Sequence, residues 1–413
     1  MAADSSVNGP RGRALWARAD RVLPAGRVYI SRSARMAGDD VLPGFIHSAR
    51  GCRLTDVDGR EYIDFIGANG PNLLGYAHAE VDAAAATQAQ RVDLPSFFPD
   101  VIVEFAERLL TWGTGFDWTV LAKNGSDTTA LACRIMRCAR HRPKIVLFQK
   151  AYHGFATELA NRFENVPDDA QRHILRLPWN DAQALERTFA EQGDTIAGIL
   201  LNPLDQNPLQ ETQSASLEFI AAIEQQRSAT GALLALDDVR QGFRLHPRGS
   251  HHALGLDPDI LCLGKGLANG YATSALLGKA PLREATEDIQ FTATYVFSAV
   301  AYRAGITTLD VYERDRVFDH LEAMGTRLTE GLTAAAQATG HRISISGPPT
   351  MPTLLFANDP KAATARRFAR EAALRGAIFH PLLNWFLSAA HREADIDEAI
   401  GIAAAAFAAT PLP

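Results

Sequence analysis

The chain is 413 residues long, 47% hydrophobic and 21% charged, ordinary globular proportions that allow two or three domains and a sizeable core. A formal net charge of −6 without a long basic run argues against nucleic acid or an anionic membrane as a partner. Cys52, Cys133, Cys138 and Cys262 form no CxxC pair, Met1 to Arg13 lack the apolar core of a secretory signal, and no apolar run is long enough to span a bilayer. A cytoplasmic location is therefore expected.

Met1 to Gly12 is polar, with Gly and Pro, and is expected to be disordered. Ala14 to Val22 is a short amphipathic stretch. Leu54 to Val57 and Glu61 to Phe65 flank Asp58-Gly59, a pair suited to the positive-φ turn of a hairpin. From about Ala79 to Leu277 short apolar runs alternate with amphipathic helices. The runs are Lys144–Phe148, Ile196–Leu201, Leu233–Leu236, Ile260–Leu263 and Ser274–Leu277. Their near-continuous apolar character is that of strands buried on both faces, which predicts an α/β domain with a mostly parallel sheet. A helix opening near Ser126 sets Leu131, Ile135 and Cys138 on one face. A long helix, continuous or once broken, is predicted from about Tyr302 to Ala338, and from Ile343 onward strands and helices mix. The predicted division is an N-terminal segment, 1–78, packing with the small domain, a large α/β domain, 79–310, and a smaller C-terminal α+β domain, 311–413.

Ligands of such sheets gather at the carboxyl ends of the strands. Asp237-Asp238-Val239-Arg240-Gln241-Gly242 follows one apolar run, Gly264-Lys265-Gly266 another, and Tyr152-His153-Gly154 a third. Asn124-Gly125-Ser126 follows Val120–Ala122 and opens a helix. Taken singly each is commonplace: a lysine between glycines is a turn residue, and Gly-Ser an ordinary helix start. Together they are what pyridoxal phosphate requires. A lysine amine, made nucleophilic by burial, forms the Schiff base. A carboxylate keeps the pyridine nitrogen protonated, an aromatic covers the ring, and a helix N-terminus receives the phosphate.

The stretches Leu236 to Arg244 and Pro258 to Lys265 resemble the signature of class III aminotransferases, and among these the glutamate-1-semialdehyde 2,1-aminomutases. The resemblance covers nearly the whole chain after Leu23. It includes Pro24-Ala25-Gly26 with Arg32, Gly70 to His78, Phe148 to Gly154, and Ser388-Ala389-Ala390-His391 with Asp395-Ile396-Asp397. It implies the fold type I architecture of the aspartate aminotransferase-like enzymes. It implies Lys265 as Schiff-base lysine and proton shuttle, Asp237 on the pyridine nitrogen, and Val239 and Tyr152 on the two ring faces. Gly125 and Ser126 would bind the phosphate, and Thr294 would reach the phosphate of the partner in a homodimer. Arg32, or Arg27 in competition with it, would clamp a substrate carboxylate. No metal ligand is implied.

The chain departs from the family pattern at several places. Asn202-Pro203 stands for glutamate-proline, Leu267 to Ala272 for a glycine-rich run, Ser298-Ala299 for asparagine-proline, Asp238 for glutamate, and Asn69 for an aromatic. These leave the lysine, aspartate and tyrosine in place and alter the substrate walls. The expectation is a specialised aminotransferase acting on a small-molecule amino donor and a carbonyl acceptor. An aminomutase or epimerase, which needs no second carbonyl substrate, is the alternative; a non-catalytic relative would have no use for all three residues.

Overall fold

The computed structural model describes residues 6–24, 34–160, 166–205 and 207–412. The chain forms two compact units. The larger is built from Ala79–Asp205 and Gln213–Asp315. Its sheet has seven strands: β1 (Trp118–Ala122), β2 (Lys144–Phe148), β3 (Ile174–Leu177), β4 (Ile196–Leu201), β5 (Leu233–Asp237), β6 (Ile260–Leu263) and β7 (Ser274–Gly278). Their spatial order is β1-β7-β6-β5-β4-β2-β3. The neighbours from β6 to β3 run parallel, and only β7 is antiparallel to its neighbours β6 and β1.

All five apolar runs named from the sequence are strands of this sheet. Every residue of β4 to β7 among them is buried, as a sheet covered on both faces requires. Helix α1 (Gly125–Arg140) covers one face with Leu131, Ala132, Cys133, Ile135 and Met136. Cys138 lies at the margin of that stripe, half-buried. Gly198 marks a close approach inside the sheet: a Cβ there would collide with Met136 Sδ and sit 2.6 Å from the carbonyl oxygen of Leu233. Gly198→Ala is therefore expected to cost about 1–3 kcal/mol in urea unfolding, because the carbonyl is backbone and cannot rotate away.

The smaller unit gathers the described residues up to His78, residues 207–212 and those from Arg316 onward. The two units meet in the chain after His78 and again at Asp315/Arg316. The helical stretch is broken there: Ala299–Arg314 and Val317–Ala338 are separate helices, and Arg316 has φ +50°, which no right-handed helix continues through. Asp58-Gly59 turns the hairpin between Arg53–Asp56 and Glu61–Asp64, with Gly59 at φ +88°. Asp56 holds that turn by accepting from the N–H groups of Asp58 and Arg60, both at 2.9 Å. Ile46–Arg50 and Ala377–Ile378 complete a four-stranded sheet, the latter parallel to Glu61–Asp64.

The expectation of disorder through Gly12 is overturned for the described part of that segment. A helix runs from Pro10 to Val22. Pro10 pre-sets the first turn, and the Asp58 carboxylate accepts from the N–H groups of Arg11 and Gly12, both at 2.8 Å. A long-range carboxylate thus caps a helix whose own sequence offers no side-chain cap.

Candidate active site

The functional side chains of the larger unit are set by strand ends. Asp237 is the last residue of β5 and is buried. Its Oδ2 accepts from His153 Nδ1–H at 2.7 Å, and its Oδ1 from the Val239 N–H at 3.3 Å. His153 follows β2, is buried, and its backbone carbonyl accepts from the Thr129 hydroxyl of α1 at 2.6 Å. The carboxylate is therefore held in one orientation by groups from β2 and from its own turn.

Val239 packs under the start of α1. A Cβ on Gly125 would lie 2.7 Å from Val239 Cγ1, and one on Gly264 would lie 3.2 Å from the same atom. Two glycines thus bring the helix start and the β6 exit against one valine. Ser126 sits beneath the loop after β2: a Cβ on Gly154, at φ +99°, would lie 2.8 Å from Ser126 Cα, and Ser126 Oγ accepts from the Phe155 N–H at 3.3 Å. Asp127 Oδ2 accepts from the Asn124 N–H at 2.7 Å, and Ser274 Oγ donates to the Asn124 carbonyl at 2.8 Å. These bonds fix the loop that presents the free N–H end of α1.

Lys265 follows β6 at φ +46°, in the left-handed region that costs an L-residue about 1 kcal/mol or more. Burial pushes its amine down from 10.5 to about 7, and the neighbouring Arg240 and Arg244 charges push the same way, against Asp237. Arg244 is buried and Arg240 half-buried, and burial lowers them to about 9 and about 10. Lys265 is consequently a neutral amine for a substantial part of the time near pH 7, which is what a nucleophilic lysine needs.

Asp237, Val239, Lys265, Gly125 and Ser126 are thus brought to one rim of the sheet. Tyr152 stands at that rim beside His153 and is 64% exposed in the single chain. Thr294 is exposed on the short helical turn Thr294–Phe297. That turn borders an apolar cavity of about 460 Å³ whose walls include Phe98, Val103, Val296 and Phe297. Arg27 and Arg32 lie outside the described residues. Sequence reasoning missed His153 as the partner of Asp237, although it adjoins Tyr152; it stands in the loop after β2, and no spacing joins that loop to the end of β5. Missed too were Arg240 and Arg244, whose burial no spacing announces.

The arrangement fits pyridoxal phosphate. A neutral amine suits its aldehyde, a fixed buried carboxylate its ring nitrogen, and a glycine-started helix its phosphate.

Comparison with known proteins agrees. The family model described as aminotransferase class-III matches residues 35–384. The chain is 36% identical to an aminopentol aminotransferase of Sphingopyxis macrogoltabida, over 98% of this chain and 95% of that protein. It is 33% identical to a glutamate-1-semialdehyde 2,1-aminomutase of Sorangium cellulosum, over 97% of both. Among solved structures, the PLP internal aldimine form of the FumI protein of Sphingopyxis sp. MTA144 superposes with a TM-score of 0.94 at 35% identity, covering 97% of this chain and 96% of that one. An omega-transaminase from Sphaerobacter thermophilus shares the fold, with a TM-score of 0.86 at 21% identity. The chain belongs to the class-III aminotransferases, enzymes that work with pyridoxal phosphate.

Proposed function

We propose that Lys265, Asp237, Val239, Tyr152, Gly125 and Ser126 hold the cofactor and carry amino transfer between a small-molecule amine and a carbonyl acceptor. The observation that carries this assignment is the conjunction of an amine lowered to about 7 with a buried carboxylate held by His153 at 2.7 Å. Bound pyridoxal phosphate supplies an electron sink that acidifies the carbon bearing the substrate's amino group. Lys265 Nζ would take the proton from that carbon and hand it to the cofactor's C4′ carbon, the one that receives the amino group. Asp237 keeps a proton on the ring nitrogen, and His153, bonded through Nδ1, stops the carboxylate from rotating away. Val239 and Tyr152 flank the ring, while the N–H groups of Gly125 and Ser126 bind the phosphate. Arg32, with Arg27 as competitor, is assigned to a substrate carboxylate.

Thr294 is assigned to the phosphate of a second copy in a homodimer. The exposed apolar walls beside it support that assignment, since an apolar cavity at a protein surface favours a covering partner. Four cysteines without a bridge support a reducing, cytoplasmic setting, and no described helix is long and apolar enough to cross a membrane.

Gly125→Ala is expected to weaken pyridoxal phosphate binding about tenfold, since the new methyl must displace Val239. Titration of the cofactor-free chain, followed by absorbance, measures it. The reaction itself is tested by a donor panel that includes α-amino acids and amino polyols, the latter because of the aminopentol relative. A donor should deplete the absorbance of the lysine-bound cofactor, and a carbonyl acceptor should restore it. An unchanged spectrum across a broad panel would overturn the assignment. Several relatives are aminomutases, so turnover of one substrate without any second carbonyl compound would favour that chemistry instead.

A further inference from the structure

Adjacent residues of a strand point to opposite faces of the sheet, so Asp237 and Asp238 leave the end of β5 in opposite directions. Asp237 turns toward His153. Asp238, 1% exposed, turns the other way and meets Ser250, which is fully buried. Asp238 Oδ2 accepts from the Ser250 N–H at 2.8 Å, and its Oδ1 from the Ser250 hydroxyl at 2.5 Å. Its own N–H donates to the Cys262 carbonyl on β6 at 2.9 Å, and its carbonyl accepts from the Gly242 N–H at 2.9 Å. Every polar group of Asp238 is therefore spent on fixing the place where the strand becomes the Val239 turn.

The seat of Ser250 is itself rigid. Gly249, at φ +100°, lets the chain pass between Asp238 and the His251 ring: a Cβ there would lie 2.8 Å from that ring and 3.5 Å from Asp238 Oδ2. The His251 ring lies tilted against His252, with centroids 4.2 Å apart, and packs edge-on with Phe116 at 5.8 Å. A second buried carboxylate beside Asp237 is costly, through desolvation and through like-charge repulsion.

We propose that Asp238, clamped by Ser250, is a positioning residue that sets Asp237 and Val239 from the far face of the strand end. This rests on the assignment of Asp237 and Val239 to the cofactor ring. Loss of the clamp leaves the β5 exit free to rotate, and displacements near 1 Å at a reacting centre cost large factors.

The test uses the full chain, freed of cofactor and titrated with pyridoxal phosphate. Ser250→Ala and Asp238→Asn are each expected to raise its Kd about tenfold and to shift the bound absorbance maximum, whereas Ser250→Thr, which keeps the hydroxyl, stays within about twofold of wild type. Urea unfolding of the same samples separates folding from positioning. Ser250→Ala in an Asp237→Asn background should add less than it does alone, because part of its effect passes through the Asp237 carboxylate. If Ser250→Ala and Asp238→Asn lower only the urea midpoint, with Kd and spectrum unmoved, the positioning role is overturned. Full additivity with Asp237→Asn overturns it as well. A wild-type chain that takes up no pyridoxal phosphate would instead overturn the cofactor assignment beneath it.

Discussion

Lys265→Met is expected to abolish amino transfer, by at least about 10⁴-fold in kcat/KM, and at the same time to stabilise the cofactor-free chain. The first effect follows from removing both the nucleophile and the proton carrier, and it is read from turnover and from the missing absorbance of the lysine-bound cofactor. The second follows from linkage. The folded chain holds this amine near 7, against 10.5 for an ordinary lysine. Between those values the unfolded chain binds a proton that the folded chain does not, so stability rises with pH across that window. Below pH 7 both states are protonated, and the folded state carries the full penalty of a charged amine pressed among Arg240 and Arg244. Methionine removes the penalty. The gain should be about 3 kcal/mol at and below pH 7, once partial exposure to water is allowed for, and should fade as pH rises toward 10.5. Urea midpoints of the two cofactor-free chains across that range measure it. A gain that grew with pH would reverse the sign and remove the case for a lysine lowered by its surroundings.

Asp237→Asn carries the second large effect. The amide keeps the shape of the carboxylate: its oxygen can accept from the Val239 N–H, and its NH2 can donate to His153 Nδ1 in the other ring tautomer, so the fold should persist. Under the proposed assignment, what is lost is the negative charge that would face the ring nitrogen. Without it the ring proton is no longer held, and the electron sink weakens at the step where Lys265 removes a proton. A fall of about 10³-fold in kcat is expected, similar to the loss of a principal electrostatic partner elsewhere, with a much smaller change in KM. A drop in kcat below tenfold would show that Asp237 is structural. A drop matched by a loss of native circular dichroism would assign the effect to folding.

The sheet was legible because its signal is local and redundant. Each of β2, β4, β5, β6 and β7 announces itself as a near-continuous apolar run, and burial on both faces leaves little else such a run could be. The places of Lys265 and Asp237 in the fold were legible for the same reason, since one follows a strand and the other ends one. The reversed direction of β7 was not legible, because an apolar run carries no sign of its polarity relative to neighbours. Nor was the helix at Pro10, whose cap comes from Asp58 and whose local composition is that of a loose tail. His153 lay beyond reach as a partner of Asp237 because the contact joins two strand exits that are neighbours only once β4 has been placed between β2 and β5. Asp238 and Ser250 are separated by a turn whose path depends on Gly249, and no periodicity encodes that path.

The pairing of Ala377–Ile378 with Glu61–Asp64 has a consequence for how the protein is made. The ribosome delivers Glu61–Asp64 early and Ala377–Ile378 only after nearly the whole chain has emerged. The seven-stranded sheet draws all its strands from the interval between them, so its hydrogen bonds can close while the early hairpin still lacks its neighbour. During that interval Glu61–Asp64 presents an open strand edge, and the delay is set by translation speed and by the slow closure of a very long loop.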